Sequence, residues 1–117
     1  MVEKLACSVR GPDGLPEVSP KDLNANLSKV SIIDVRRPDE FTGDLGHIKG
    51  ARLVTLESEF ERELPKLSKD VAYVFVCRSG GRSGRATAMA LQAGLQNVYN
   101  MTGGMLSWNA NGLPIER

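Results

Sequence analysis

Val71-Ala72-Tyr73-Val74-Phe75-Val76-Cys77, followed by Arg78-Ser79-Gly80-Gly81-Arg82-Ser83, is the stretch on which the fold of this chain turns. Seven apolar residues in a row are far too few to cross a membrane and read as a strand buried on both faces, as in a parallel sheet. After the polar glycine turn, Ala86, Ala88, Met89, Ala90 and Leu91 favour a helix from Gly84 to Ala93, with Ser83 as its N-cap and Gly94 as its end. Strand, turn and helix form one unit of an α/β sheet, and such sheets bind ligands beyond the carboxyl ends of their strands. Cys77 is predicted to stand there.

Working upstream, Val30 to Val35 is a compact β-branched run that reads as a second buried strand, delivering Asp34 and Arg36 to its end. Ser19-Pro20-Lys21-Asp22 marks a helix start, predicting a helix from Pro20 to Ser28. Residues 37–50 read as a long loop with Pro38, Gly43, Gly46 and Gly50, and Glu57 to Leu64 as a short polar helix stopped at Pro65. Downstream, Asn97 to Asn100 is a short strand and Met105 to Ala110 a last helix closed by Gly112 and Pro114. The alternation implies a parallel sheet with helices on both faces, and 117 residues suit a single domain over 1–117.

Composition narrows the function. With 41% hydrophobic and 25% charged residues the chain is an ordinary globular one. A net charge of +1 argues against a broad basic surface, and so against nucleic acid or a membrane as partner. The sum conceals an asymmetry: residues 1–70 hold 13 acids and 11 bases, whereas residues 71–115 hold no acid and only Arg78, Arg82 and Arg85 as bases. Two cysteines cannot build a disulfide framework, and a lone His47 cannot complete a structural zinc site, so no metal is expected. The first seven residues lack the charge and apolar run of a secretory signal, so a reducing cytoplasmic setting is expected.

A cysteine between a buried strand and a helix start faces unpaired backbone N–H groups, which favour an anion. The thiolate is the reactive form of cysteine, and three nearby arginines are expected to lower the Cys77 pKa further. Gly80 and Gly81 would let the backbone curl into an anion nest. The plainer reading, a small core residue closing a strand, is disfavoured by the arginines and the acid-free surroundings. A phosphate-transferring C-x5-R pattern would need arginine at position 83, which is Ser83; the arginine comes at position 82, and the shorter cradle suits a terminal sulfur better than a phosphate. No general acid for a phosphatase is in the immediate neighbourhood. His47, flanked by Gly46 and Gly50, reads as a structural hydrogen-bonding residue rather than the base of a Cys/His pair. Gly80 to Gly84 matches neither dinucleotide nor P-loop patterns.

Four stretches together resemble the single-domain rhodaneses, sulfurtransferases of the thiosulfate class. They are Ile33-Asp34-Val35-Arg36 with Pro38-Asp39-Glu40-Phe41; Gly46 to Ala51; the loop from Cys77 to Ser83; and Gly103-Gly104 with Trp108 and Gly112-Leu113-Pro114. They span about residues 17–115. The resemblance implies a three-layer α/β domain with a central parallel sheet of four to five strands and helices on both faces. It implies that Cys77 becomes a persulfide, with Arg78, Ser79, Gly80, Gly81, Arg82 and Ser83 binding substrate and Arg78 and Arg82 attracting an anionic donor. Asp34, Arg36 and Glu40 are implied as structural support, Arg36 pairing with Glu40 and Asp34 bracing the strand end. Gly103, Gly104 and Trp108 are implied to be a packing motif.

The partners implied are thiosulfate or a small persulfide as donor, and cyanide, a thiol or a protein thiol as acceptor; no cofactor is needed where amides and arginines meet the charge on sulfur. A persulfide carrier without turnover, and a phosphatase or arsenate reductase on the same scaffold, are the alternatives. Two departures bear on donor preference: Thr42 to Leu45 places four residues between Phe41 and Gly46 where two are usual, and Lys49 stands where many members have proline. Cys7 reads as an incidental thiol.

Overall fold

A computed structural model describes residues 5–117. The signal-peptide reading rests partly on Met1 to Lys4, which lie outside the described residues. Six strands form one sheet: β1 (Val9–Arg10), β2 (Pro16–Val18), β3 (Ser31–Asp34), β4 (Arg52–Leu53), β5 (Tyr73–Val76) and β6 (Val98–Met101), in spatial order β1-β2-β6-β5-β3-β4. All neighbours run parallel except β1 with β2. The sheet therefore has the parallel strands expected, extended at one edge by an antiparallel β1 that was not expected. Helices are α1 (Pro20–Ala25), α2 (Pro38–Phe41), α3 (Glu61–Glu63), α4 (Gly81–Gln92) and α5 (Gly104–Ala110).

Period-two alternation explains why the central strands read as unbroken apolar runs. Tyr73, Phe75 and Cys77 point to one face with Ile33, Ala86 and Ala90; Val74 and Val76 point to the other with Ile32, Met105 and Trp108. Each face is thus covered by helix, and β5, between β6 and β3, is buried at all four positions. Trp108, 1% exposed, anchors the second face and its indole N–H donates to the Pro114 carbonyl at 2.9 Å.

Several boundaries differ from expectation for local reasons. The stretch predicted as loop contains α2, a single turn whose first residue is Pro38, preset for the helical φ. The polar helix expected over residues 57–64 is a π turn (Leu56–Phe60), then α3, then a 3-10 turn (Leu64–Lys66). Pro65 sits inside that last turn instead of ending the segment, since an early helical position needs no N–H donor. The helix after Pro20 ends at Ala25, where Asn26 folds its side-chain amide back onto the Asp22 carbonyl at 2.7 Å. Among the described residues no helix is long and apolar enough to cross a membrane.

Candidate active site

Cys77 follows the last residue of β5 and is 1% exposed. Its Sγ accepts the Gly80 N–H at 3.0 Å and lies 3.3 Å from the Ser83 hydroxyl. Gly80 has φ +104°, a left-handed conformation that L side chains rarely adopt, and it caps α4. Helix α4 accordingly starts at Gly81, and Ser83 lies inside its first turn rather than capping it. Gly81 has no positive φ and a Cβ there would meet nothing within 4 Å, so the curl rests on Gly80 alone.

The loop is held from behind by α5. The N–H groups of Met105 and Leu106 donate to the carbonyls of Cys77 and Arg78 at 2.8 and 3.0 Å. These carbonyls are therefore turned away from the sulfur. Gly104, at φ +58°, makes the approach possible: a Cβ there would fall 2.4 Å from the Arg78 oxygen and 2.5 Å from that of Cys77. The glycine pair thus packs against the loop that carries the thiol.

Burial pushes the Cys77 thiol up, but the Ser83 hydroxyl, where it donates to the sulfur, and the N–H groups of Ser83, Gly80 and Ser79 outweigh it and hold the pKa below its ordinary value. Of the arginines expected to share in that lowering, Arg82 acts on Cys77 but is also held by a carboxylate. Arg82 donates through both terminal nitrogens to the Glu40 carboxylate, at 2.7 and 2.8 Å. Its pKa is raised, chiefly by that pair, and Glu40 is lowered to about 2, first by the Arg82 hydrogen bond. Arg78 and Arg85 are exposed. The three guanidinium groups line three different depressions: Arg78 one of about 430 Å³, Arg82 one of about 630 Å³ and Arg85 one of about 650 Å³.

The expected Arg36–Glu40 ion pair is not formed. Arg36 instead clasps Asp34, Nε to Oδ1 at 2.9 Å and Nη2 to Oδ2 at 2.8 Å, with both side chains 1% exposed. Two positions apart at a strand end, the two side chains meet fork to fork. Arg36 touches Glu40 only at its backbone carbonyl, at 3.2 Å, and donates also to the Gly46 carbonyl at 2.7 Å. The Glu40 carboxylate is left for Arg82. Asp34 and Arg36 thereby brace the end of β3, beside the loop after β5.

His47 stacks on Phe41 at 3.8 Å and its Nδ1 lies 2.8 Å from the Phe41 carbonyl, a structural arrangement. The inserted Gly43, Asp44 and Leu45 line the depression that holds Arg78; Arg117 and Asn109 tie down the carbonyls of Asp44 and Leu45. Cys7 is half-buried, packed on the second core face, with the Asn26 amide 3.7 Å from its sulfur.

One residue of the site was missed in the sequence. Asn100, in β6 and 6% exposed, accepts the Ser83 hydroxyl at 2.5 Å and donates to the Gly80 carbonyl at 3.1 Å. Its signal was a polar amide inside the buried run Val98-Tyr99-Asn100-Met101, since a buried amide must find partners.

Residues 19–111 match the rhodanese-like domain family. An uncharacterized protein of Bacillus subtilis is 35% identical over 75% of this chain and 68% of its own length. A sulfurtransferase of Allochromatium vinosum is 34% identical over 78% of this chain and 82% of its own. The crystal structure of a rhodanese-related protein from Thermoplasma volcanium superposes with a TM-score of 0.77 at 31% identity, covering 84% of this chain and 94% of that one. Some relatives are longer, and this chain spans 54% of one from Synechocystis. Matched along most of its length and built around the same sheet, the chain belongs to the rhodanese-like domain family.

Proposed function

We propose that the protein is a sulfurtransferase in which Cys77 carries sulfur between a donor and an acceptor. The Cys77 thiolate attacks the outer sulfur of thiosulfate; the bond between that sulfur and the sulfonate sulfur breaks, and sulfite leaves with the electron pair. The charge passes to the outer sulfur of a Cys77 persulfide, where the N–H groups of Ser79, Gly80 and Gly81 can meet it. Cyanide or a thiolate then attacks that outer sulfur, regenerating the Cys77 thiolate in a ping-pong cycle. A small persulfide serves as donor in the same way, with a thiolate as leaving group.

The observation that carries this reading is a buried thiol whose sulfur is met by a loop N–H and a hydroxyl while the flanking carbonyls are bound to α5. A cradle of N–H donors, joined by the Ser83 hydroxyl when that turns its hydrogen to the sulfur, suits an anionic sulfur. Sulfurtransferase-named relatives support the general role; donor and acceptor come from the site's chemistry. Arg78, whose side chain makes no ion pair among the described residues, is the cation of the Cys77–Ser83 loop left for an anionic donor, since Arg82 is committed to Glu40. The setting we propose is the reducing cytoplasm, with Ser79, Gly81 and Ser83 completing the substrate loop around Gly80.

Intact mass after incubation with thiosulfate tests the proposal. One added sulfur atom, absent in a folded Cys77→Ser variant, supports it; sulfur gained at Cys7, or turnover retained by the variant, overturns it.

A further inference from the structure

Ser83 Oγ lies 2.5 Å from Asn100 Oδ1 and 3.3 Å from Cys77 Sγ, in a site where Ser83 is fully buried. A hydroxyl carries one hydrogen and cannot donate to both. The Asn100 amide has no freedom to adapt: its Nδ2 donates to the Gly80 carbonyl, and turning the amide round would set oxygen against oxygen. Oδ1 is therefore pinned toward Ser83, and two oxygens at that distance need the hydrogen between them. A lone pair of Ser83 Oγ is then left facing the sulfur, ready to receive the S–H of a neutral thiol. A thiolate needs the reverse. The hydroxyl must swing its hydrogen to sulfur and leave Asn100 Oδ1 bare in the interior, which is unfavourable.

We propose that Asn100 is a positioning residue that sets the direction of the Ser83 proton, holding Cys77 as a thiol at rest and yielding it as a thiolate when Ser83 turns. The inference rests on the reading of Cys77 as nucleophile and deepens it. In the persulfide the inner sulfur is divalent and uncharged, so the Ser83 hydrogen returns to Asn100 and the loop amides serve the outer sulfur. Ser83 thus has one position for each state of the cysteine. When it donates to sulfur the hydroxyl is the largest of the hydrogen bonds that lower the Cys77 pKa, so the direction of its proton has leverage on the thiol.

The charged groups around the thiol do not account for this control. Arg82 on α4 acts on Cys77 but is neutralised by Glu40 of α2 and also feels Glu57; the Asp34–Arg36 pair at the end of β3 compensates itself; Arg78 and Arg85 are exposed. Strand β6 and helix α5 bring no charged group, and Tyr99 packs on the opposite core face.

The test is the pH dependence of Cys77 alkylation in a Cys7→Ser background, so that one thiol reports. Asn100→Ala should lower the midpoint by about 0.5–1 pH unit, a three- to tenfold rise in the thiolate ratio, because the competing acceptor is gone. Ser83→Ala should raise it, and adding Asn100→Ala to Ser83→Ala should change nothing further. A midpoint that stays or rises in the single variant, or a shift that persists without Ser83, overturns the proposal and leaves Asn100 as a prop for Gly80. Should Asn100→Ala fail to fold, the infrared S–H stretch at low pH decides. It should lie at lower frequency in the otherwise unaltered protein than in Ser83→Ala, and an unmoved band overturns the proposal. Both readouts see the thiol itself, so they decide for or against Asn100 even if sulfur transfer from thiosulfate is not found.

Discussion

Glu40 and Arg82, 42 positions apart in the chain, form a two-bond ion pair at 2.7 and 2.8 Å that ties α2 to the first turn of α4. The pair lies at the rim of the cradle and is partly shielded from water. Because Glu40 titrates near 2 in the folded protein against an ordinary 4.5, its contribution to stability is complete above about pH 4.5 and is lost as the pH falls toward 2. Glu40→Gln should therefore lower unfolding stability by about 1–2 kcal/mol near pH 6. The gap between variant and parent in urea unfolding should close between pH 4.5 and 2. A gap constant across that range would show that the pair does not govern it.

The Asp34–Arg36 clasp is a different case, since both partners are almost wholly buried. Asp34→Ala leaves a guanidinium without its counter-charge in the interior and should cost about 3–5 kcal/mol. Its loss should exceed that of Glu40→Gln and be visible in denaturant midpoints as well as in reduced sulfur transfer.

Gly104→Ala and Gly81→Ala make an informative pair. The first drives a Cβ into the carbonyls of Cys77 and Arg78 and should cost about 1–3 kcal/mol with a marked fall in activity. The second meets open space at an ordinary φ and should be neutral or stabilising by up to about 1 kcal/mol. Equal effects in the two variants would contradict the assignment of the curl to Gly80 and the close approach to Gly104.

Arg78→Ala removes a cation of the active-site loop that forms no ion pair among the described residues. The expected result is a several-fold rise in KM for thiosulfate with kcat nearly unchanged, and a smaller effect with a small alkyl persulfide, which carries one negative charge fewer. Equal losses with both donors would assign Arg78 to the loop's architecture.

Much of the fold could be read from residue patterns because its centre is built from strands long enough to carry a pattern. Val71 to Cys77 and Val30 to Val35 announce β5 and β3, and the alanine-rich run after the turn announces α4. Strands β1 and β4, two residues each, and α2, a single turn, are too short for any periodicity, and they form because neighbours supply their partners. In the site, the position of Cys77 follows from the strand's end. Charge partners did not follow: the resemblance implied Arg36 with Glu40, and residue order carries no sign that folding sets Arg82 against Glu40 and leaves Arg36 to Asp34. Gly80 and Gly81 are equivalent as letters and differ only in φ. Asn100 is 23 positions from Cys77 and meets its site only because β6 lies beside β5.

The hold of α5 on the carbonyls of Cys77 and Arg78 has a consequence for heat tolerance. The end turns of a short helix open locally at lower free energy than central strands. Here fraying of the first turn of α5 and slackening of the cradle are the same event, so on gentle warming, competence should fade along with hydrogen-exchange protection at Met105 and Leu106 while the amides of Tyr73 to Val76 are still protected. The working temperature of the molecule is then set by its last helix, and its melting temperature by its sheet.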